Sequence, residues 1–296
     1  MTPQGQPEPA TPAVPALGPT AASTIIRIVI YAIFCWLGML LLAPLLYIAA
    51  DTLITFVAAN FAAAIIANLI CMRIYEQRSL AEVGLEWSGA SLRHLGFGVL
   101  GGASVASLIV LVPALFGLAS WSRSAEQPSG WGTIVYFAIL VLFGVVAEEL
   151  MFRGYGFQIM VRRFGVWATL LPMGVLFAAA HSGNMNVSSL GLANTFLWGV
   201  ALGWCVLRSG DLWLAIGIHA GWNWALPLLG VNLSGFTMRV SGLEVQWKID
   251  PVWSGGSYGP EGGILSMIAL AVLMAGLRKV PIRPQALVLL GERKQS

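Results

Sequence analysis

The sequence predicts an all-α polytopic membrane protein of about eight transmembrane helices, with its polar core on the fourth, fifth and seventh. Three observations point there. Hydrophobic residues make up 57% of the 296 and charged residues 10%, with a mean hydropathy of +0.80, whereas a soluble domain is about a quarter charged. Apolar runs of the length that spans a bilayer, about 20 residues, recur along the chain. The few polar groups inside those runs fall on three of them.

Residues 1–24 are rich in Pro, Ala, Thr and Gln. Such a composition buries too little apolar surface to order itself, so a flexible tail is expected. The apolar run that follows is too long for a signal-peptide core and lacks a small-residue cleavage site. A membrane domain over 25–280 is then expected, with spans at 25–50, 53–72, 95–119, 132–160, 166–184, 189–207, 212–230 and 263–278. A polar linker runs from Glu76 to His94, with room for a short interfacial helix. The stretch from Val231 to Gly262 has the Gly, Ser, Trp and Tyr content of an interfacial loop. Residues 281–296 are expected to form a basic cytoplasmic tail.

Orientation follows from the basic residues. Arg27, Arg73, Arg78, Arg93, Arg162, Arg163, Arg208, Arg278, Lys279, Arg283, Arg293 and Lys294 share one set of connections, against Arg123, Arg239 and Lys248 on the other. Basic loops stay in the cytoplasm, so both termini are expected there, as an even number of spans requires. The net charge of +3 is too small to suggest a nucleic-acid partner. Cys35, Cys71 and Cys205 lie in apolar runs without metal-type spacing and are expected as core residues.

Adjacent glutamates, Glu148 and Glu149, interrupt the fourth run. A charged group at the helix centre costs roughly 2.5–3.5 kcal/mol on insertion scales, so such a pair marks a functional site facing protein or water. Counting 1.5 Å per residue from Arg162 puts the pair roughly 20 Å deep; the same sum puts His181 at roughly 22 Å, His219 at roughly 16 Å and Asn223 at roughly 22 Å. Three helices thus deliver their polar groups to one layer. Glu149 and Arg153 are one turn apart and can pair, as can His219 and Asn223 in pointing at one cavity. Glu148 and Glu149 differ by about 100° around the helix, so one faces the site and the other its edge or Arg153. Each group also has a plain structural use: helix packing or a proton relay for the acids, interhelical hydrogen bonding for His219 and Asn223.

The ordered motifs Glu-Glu-x-x-x-Arg (148–153), Phe-x-x-x-His (177–181) and His-x-x-x-Asn (219–223) resemble those of the CPBP family, the CAAX prenyl proteases and bacteriocin-processing enzymes also called the Abi family. The resemblance covers about 130–228 and extends to the eight-span layout. It implies an intramembrane glutamic endopeptidase with its catalytic core on the fourth, fifth and seventh helices. Glu148 would activate a water that His181 orients, His219 and Asn223 would stabilise the oxyanion, and Glu149 and Arg153 would support the geometry. His181-Ser-Gly-Asn184 resembles an extension seen in some members, which makes Asn184 a further supporting candidate. No cofactor and no metal are implied.

Two other readings use the same residues. Two His and a Glu suffice for zinc, although no His-Glu-x-x-His helix is present. A transporter or immunity protein would use the carboxylates as a proton relay, although no paired half-repeats accompany them. The partners expected are a membrane-associated peptide or protein substrate and the lipid bilayer; nothing in the sequence specifies an oligomeric state. The composition looks bacterial, which points to the inner membrane and away from prenylated substrates.

Overall fold

Every predicted apolar stretch folds as a helix in the computed structural model, which describes residues 20–48, 51–124, 130–238 and 240–291. The helices are α1 (Ala21–Tyr47), α2 (Thr52–Cys71), α3 (Gly89–Leu115), α4 (Trp131–Arg153), α5 (Tyr155–Phe164), α6 (Trp167–Ala180), α7 (Ser189–Ser209), α8 (Trp213–Leu228), the short α9 (Pro251–Ser254) and α10 (Ile264–Lys279). Five stretches among the described residues are long and apolar enough to cross a membrane: Ala21–Tyr47, Thr52–Glu76, Gly89–Leu115, Trp131–Phe164 and Ser189–Ser209. Helices α6, α8 and α10 have 14, 16 and 16 residues, short of the 20 that a full crossing takes. The protein is an all-α polytopic integral membrane protein.

Helix α8 is the centre of the bundle. Eleven of its 16 residues are buried, and it packs on α3, α4 and α7. Its contact with α3 is made by backbone. Gly98 and Gly102 face Gly217 and Gly221, and a Cβ on Gly102 would stand 2.1 Å from the carbonyl oxygen of Ile218. In lipid no hydrophobic force drives helices together, so small residues four apart supply the close van der Waals approach instead. At the rim, α1 pairs with α2, and α2 packs on α4. Only Thr24 and Tyr31 of α1 are buried, as suits a lipid-facing helix.

The fourth span is not continuous, contrary to the 132–160 helix predicted. The backbone leaves the helix at Gly154 (φ −73°, ψ −141°) and restarts at Tyr155. A broken helix within a bilayer needs new partners for its freed groups, and Asn68 of α2 and Tyr31 of α1 supply them. The Asn68 side-chain oxygen accepts from the Tyr155 backbone N–H at 2.8 Å. Its amide donates to the carbonyls of Ala64 (2.8 Å) and Leu150 (3.2 Å). The Tyr31 hydroxyl donates to the Leu150 carbonyl at 2.7 Å. Only glycine fits at 154, where a Cβ would lie 2.3 Å from the Asn68 oxygen.

The connections are more ordered than a string of surface loops. In the linker before α3, a 3₁₀ turn spans Ala81–Val83. His94, expected at the end of that linker, lies inside α3, buried against Asp211 with Nδ1 and Oδ2 2.6 Å apart. The 231–262 stretch is a folded roof, since β2 (Leu243–Trp247) pairs antiparallel with β1 (Ala119–Arg123), Ala119 opposite Trp247. Past Lys279 the chain, predicted as the start of a tail, lies on the bundle through 291: Leu287 and Leu289 are buried, and Gln285 hydrogen-bonds Asp211. Most of the predicted N-terminal tail lies outside the described residues, and the helix of α1 already runs from Ala21. Cys71 and Cys205 are buried and Cys35 partly so.

Candidate active site

One turn above the Gly154 break, the two glutamates take different surroundings. Glu149 is fully buried. Its Oε1 meets Arg153 Nη1 at 3.2 Å and His219 Nδ1 at 2.9 Å. Arg153 is itself 2% exposed and donates onward to the Gly199 carbonyl of α7 at 3.0 Å. Its guanidinium also lies over the Phe177 ring, 4.5 Å from the centroid, where the ring's negative face favours a cation. Glu149 thus ties α4, α7 and α8 through one buried ion pair. Such a pair is costly to form in a dry place and costlier to break.

Glu148 faces open space instead. It lines a cavity of about 410 Å³ together with His181, Asn184, His219 and Asn223. Its Oε2 lies 3.9 Å from His181 Nε2 and 3.8 Å from His219 Nε2. Both gaps are too long for a direct hydrogen bond and suit one bridging molecule of water size. That Oε2 is buried without a hydrogen-bond partner among the described residues.

The ring tautomers follow from the partners. His181, the residue that caps the C-terminus of α6, has Nδ1 2.7 Å from the Phe177 carbonyl. A carbonyl only accepts, so Nδ1 carries the proton and a neutral ring offers its Nε2 lone pair to the cavity. His219 donates Nδ1–H to the Glu149 carboxylate. Its Nε2 can then donate toward the cavity only if the ring carries both protons. Asn223 lies one turn on along α8, half-buried and lining the same cavity. Asn184 lines it as well.

The depth sum that the sequence supports ran through Arg162 along one straight helix, and the break at Gly154 removes that ruler. The groups meet nonetheless, because α8 is seated centrally and α4 packs directly on it; Trp224 Nε1 donates to the Ala138 carbonyl at 3.0 Å.

The cavity has two further walls. Met39, Leu53, Phe56, Val57, Leu140 and Val141 form an apolar arm between α1, α2 and α4. At the other end, the roof contributes Leu233, Ser234, Phe236, Met238 and Glu261. Glu261 was not expected at the site. Its Oε1 accepts from Trp222 Nε1 at 3.1 Å, and its Oε2 accepts from the backbone N–H and, at 2.8 Å, the hydroxyl of Ser234. Next to it the Tyr258 phenol is pushed up, by burial first and the Glu261 charge second. Among the described residues no group of three or more His, Cys, Asp or Glu is spaced to hold a metal ion.

All seven sequence-predicted residues lie in one segment that a known family shares. Residues 129–225 match the family of type II CAAX prenyl endopeptidases, Rce1-like. This Rce1-like segment is that of the CPBP and CAAX protease family, and it holds Glu148 through Asn223 entire. It stops short of Ser234 and Glu261, so the roof is not part of the match. No curated protein matches the chain.

Proposed function

We propose that the protein is an intramembrane endopeptidase in which Glu148 activates a water against a peptide bond of a membrane-associated peptide or protein. The observation that carries this is the placement of the unpartnered Glu148 Oε2 between two imidazole Nε2 atoms at 3.8 and 3.9 Å, on a side chain that lines a cavity of about 410 Å³. The match of this segment to a family of CAAX endopeptidases supports the same reading.

In this mechanism a water donates one hydrogen to Glu148 and the other to the His181 Nε2 lone pair, which aims its own lone pair at the scissile carbonyl. Attack forms the C–O bond as Glu148 takes the proton. The oxyanion is met by Asn223 and by Nε2–H of a doubly protonated His219, fixed donors worth roughly 3–4 kcal/mol each in a dry site. Glu148 then returns its proton to the departing amine as the C–N bond breaks. The charges balance throughout. Before attack, Glu148 and Glu149 face Arg153 and His219; after it, the oxyanion takes the place of the neutralised Glu148. Glu149 and Arg153 hold His219 in register, and Asn184 supports the wall.

Zinc remains the rival chemistry, and a chelator separates the two. The test compares the membrane peptidome of cells expressing the wild type and Glu148→Gln at equal levels, with and without a chelator. Products that vanish in Glu148→Gln and persist with chelator support the glutamate mechanism. Identical peptidomes would sink it, and sensitivity to the chelator alone would favour zinc. The composition supports the inner membrane of a bacterium as the setting, and the basic-residue bias supports cytoplasmic termini.

A further inference from the structure

The chamber that Glu148 lines carries a second carboxylate on its roof. Among the described residues that line it there are two glutamates, Glu148 and Glu261, and no Lys or Arg. The buried cation nearest by, Arg153, is already engaged by Glu149 and the Gly199 carbonyl. Glu261 is held in place by neutral donors, the Trp222 indole and the Ser234 backbone and hydroxyl. These take three of the about four acceptor positions that a carboxylate has. One position is left, on a rigidly held anion whose charge no described neighbour cancels. The roof that carries it is pinned from behind, with Gly235 N–H donating to the Tyr258 carbonyl at 2.8 Å.

Resting on the proteolytic reading above, we propose that Glu261 is a specificity-determining residue that recognises a lysine or arginine side chain of the substrate close to the scissile bond. Trp222, which carries the Glu261 contact, is three residues and about 4.5 Å along α8 from His219. An extended peptide advances about 3.3 Å per residue, and the reach of the Trp222, Glu261 and His219 side chains adds several ångströms to that rise, so the basic residue stands within about four residues of the bond that is cut. The rest of the substrate is apolar, as the arm lined by Phe56, Val57 and Leu140 requires. A lone cation entering a low-dielectric chamber must find an anion to offset its lost hydration, and Glu261 is the anion outside the reacting centre. The preference is thereby one of charge and not of side-chain shape.

The experiment uses full-length Glu148→Gln protein in detergent, which keeps the chamber and does not cut. Fluorescent apolar host peptides carry a single lysine, norleucine or glutamate scanned over nine positions, and binding is read by anisotropy. At the best position the lysine peptide binds about tenfold more tightly than the norleucine one, as one partly desolvated charge pair supplies, and the glutamate peptide binds more weakly than both. Adding Glu261→Gln brings the lysine and norleucine affinities together and leaves the norleucine value unchanged, whereas Glu261→Asp keeps the preference. Equal affinities of the three peptides in the parent, a lysine preference that survives Glu261→Gln, or an equal loss for all peptides would each overturn the proposal, the last by showing that Glu261 serves only the roof. The peptide comparison in the parent needs no change at 261, so misfolding of that variant does not protect the idea. Wild-type protein is then offered the same peptides. Lysine-selective binding without any cleavage would count against the peptidase reading while supporting Glu261 as the recognition group.

Discussion

His219 Nδ1 lies 2.9 Å from Oε1 of Glu149, so the more deeply buried glutamate holds the histidine, while Glu148 lines the cavity. This relationship separates two adjacent carboxylates that the sequence alone leaves nearly equivalent. It also makes their substitution effects different in kind.

Replacing Glu149 by Ala strands the Arg153 guanidinium in the bundle, and removing one partner of a buried pair costs about 3–5 kcal/mol. Glu149→Ala is therefore expected to lower the melting temperature in detergent sharply. Glu148→Gln is expected to leave it nearly unchanged while abolishing cleavage. Equal melting temperatures for the two variants would refute the division of labour.

Arg153→Lys keeps the charge but not the planar fork that reaches both Glu149 and the Gly199 carbonyl on α7. Reduced activity and a lower melting temperature are expected together. A variant with full wild-type turnover and stability would show that the second arm of the guanidinium is dispensable.

Asn68→Ala removes the partner of the Tyr155 N–H and two donors to carbonyls at the break in the fourth span. Each buried polar group left unpaired costs about 1–3 kcal/mol, so a loss of about 3 kcal/mol is expected. Hydrogen exchange would locate it, with protection falling at residues 150–156 first. Uniform loss across the bundle would argue that the break is not specifically held.

Gly102→Ala puts a methyl where a backbone carbonyl already lies. Overpacking of this kind costs about 1–3 kcal/mol, and here the neighbour is main chain that cannot rotate away. Displacing α8 also displaces His219 and Asn223. Loss of both stability and turnover is expected, while Gly101→Ala, which meets only the end of the Leu273 side chain, is expected to be mild.

The apolar helices were legible because lipid demands a run of one character, and the three motif helices because each carries ionisable groups that lipid penalises. What the sequence hid has a common cause: partners far apart in the chain. Gly154 sits in an ordinary Arg-Gly-Tyr-Gly stretch, and the residue that makes a break tolerable there, Asn68, precedes it by more than eighty positions. Glu261 belongs to a polar loop in which a charge is unremarkable, so its aim into the cavity left no local trace. His94 follows Arg93 and reads as linker until Asp211 is brought beside it. The α3–α8 contact did leave a signal, the four-residue spacing of Gly98 with Gly102 and of Gly217 with Gly221.

That glycine seam has a consequence for how such a chain can change over generations. Where two backbones touch, almost no substitution is neutral, so the seam and the histidine that it seats are held against drift. The roof touches the seam nowhere among these four glycines, and its Glu261 meets α8 through the Trp222 side chain. On the proteolytic reading proposed above, mutations there alter what enters the chamber without moving the atoms that react. Descendants of one ancestor can therefore diverge in diet while keeping the same chemistry, and the roof is where their differences will accumulate.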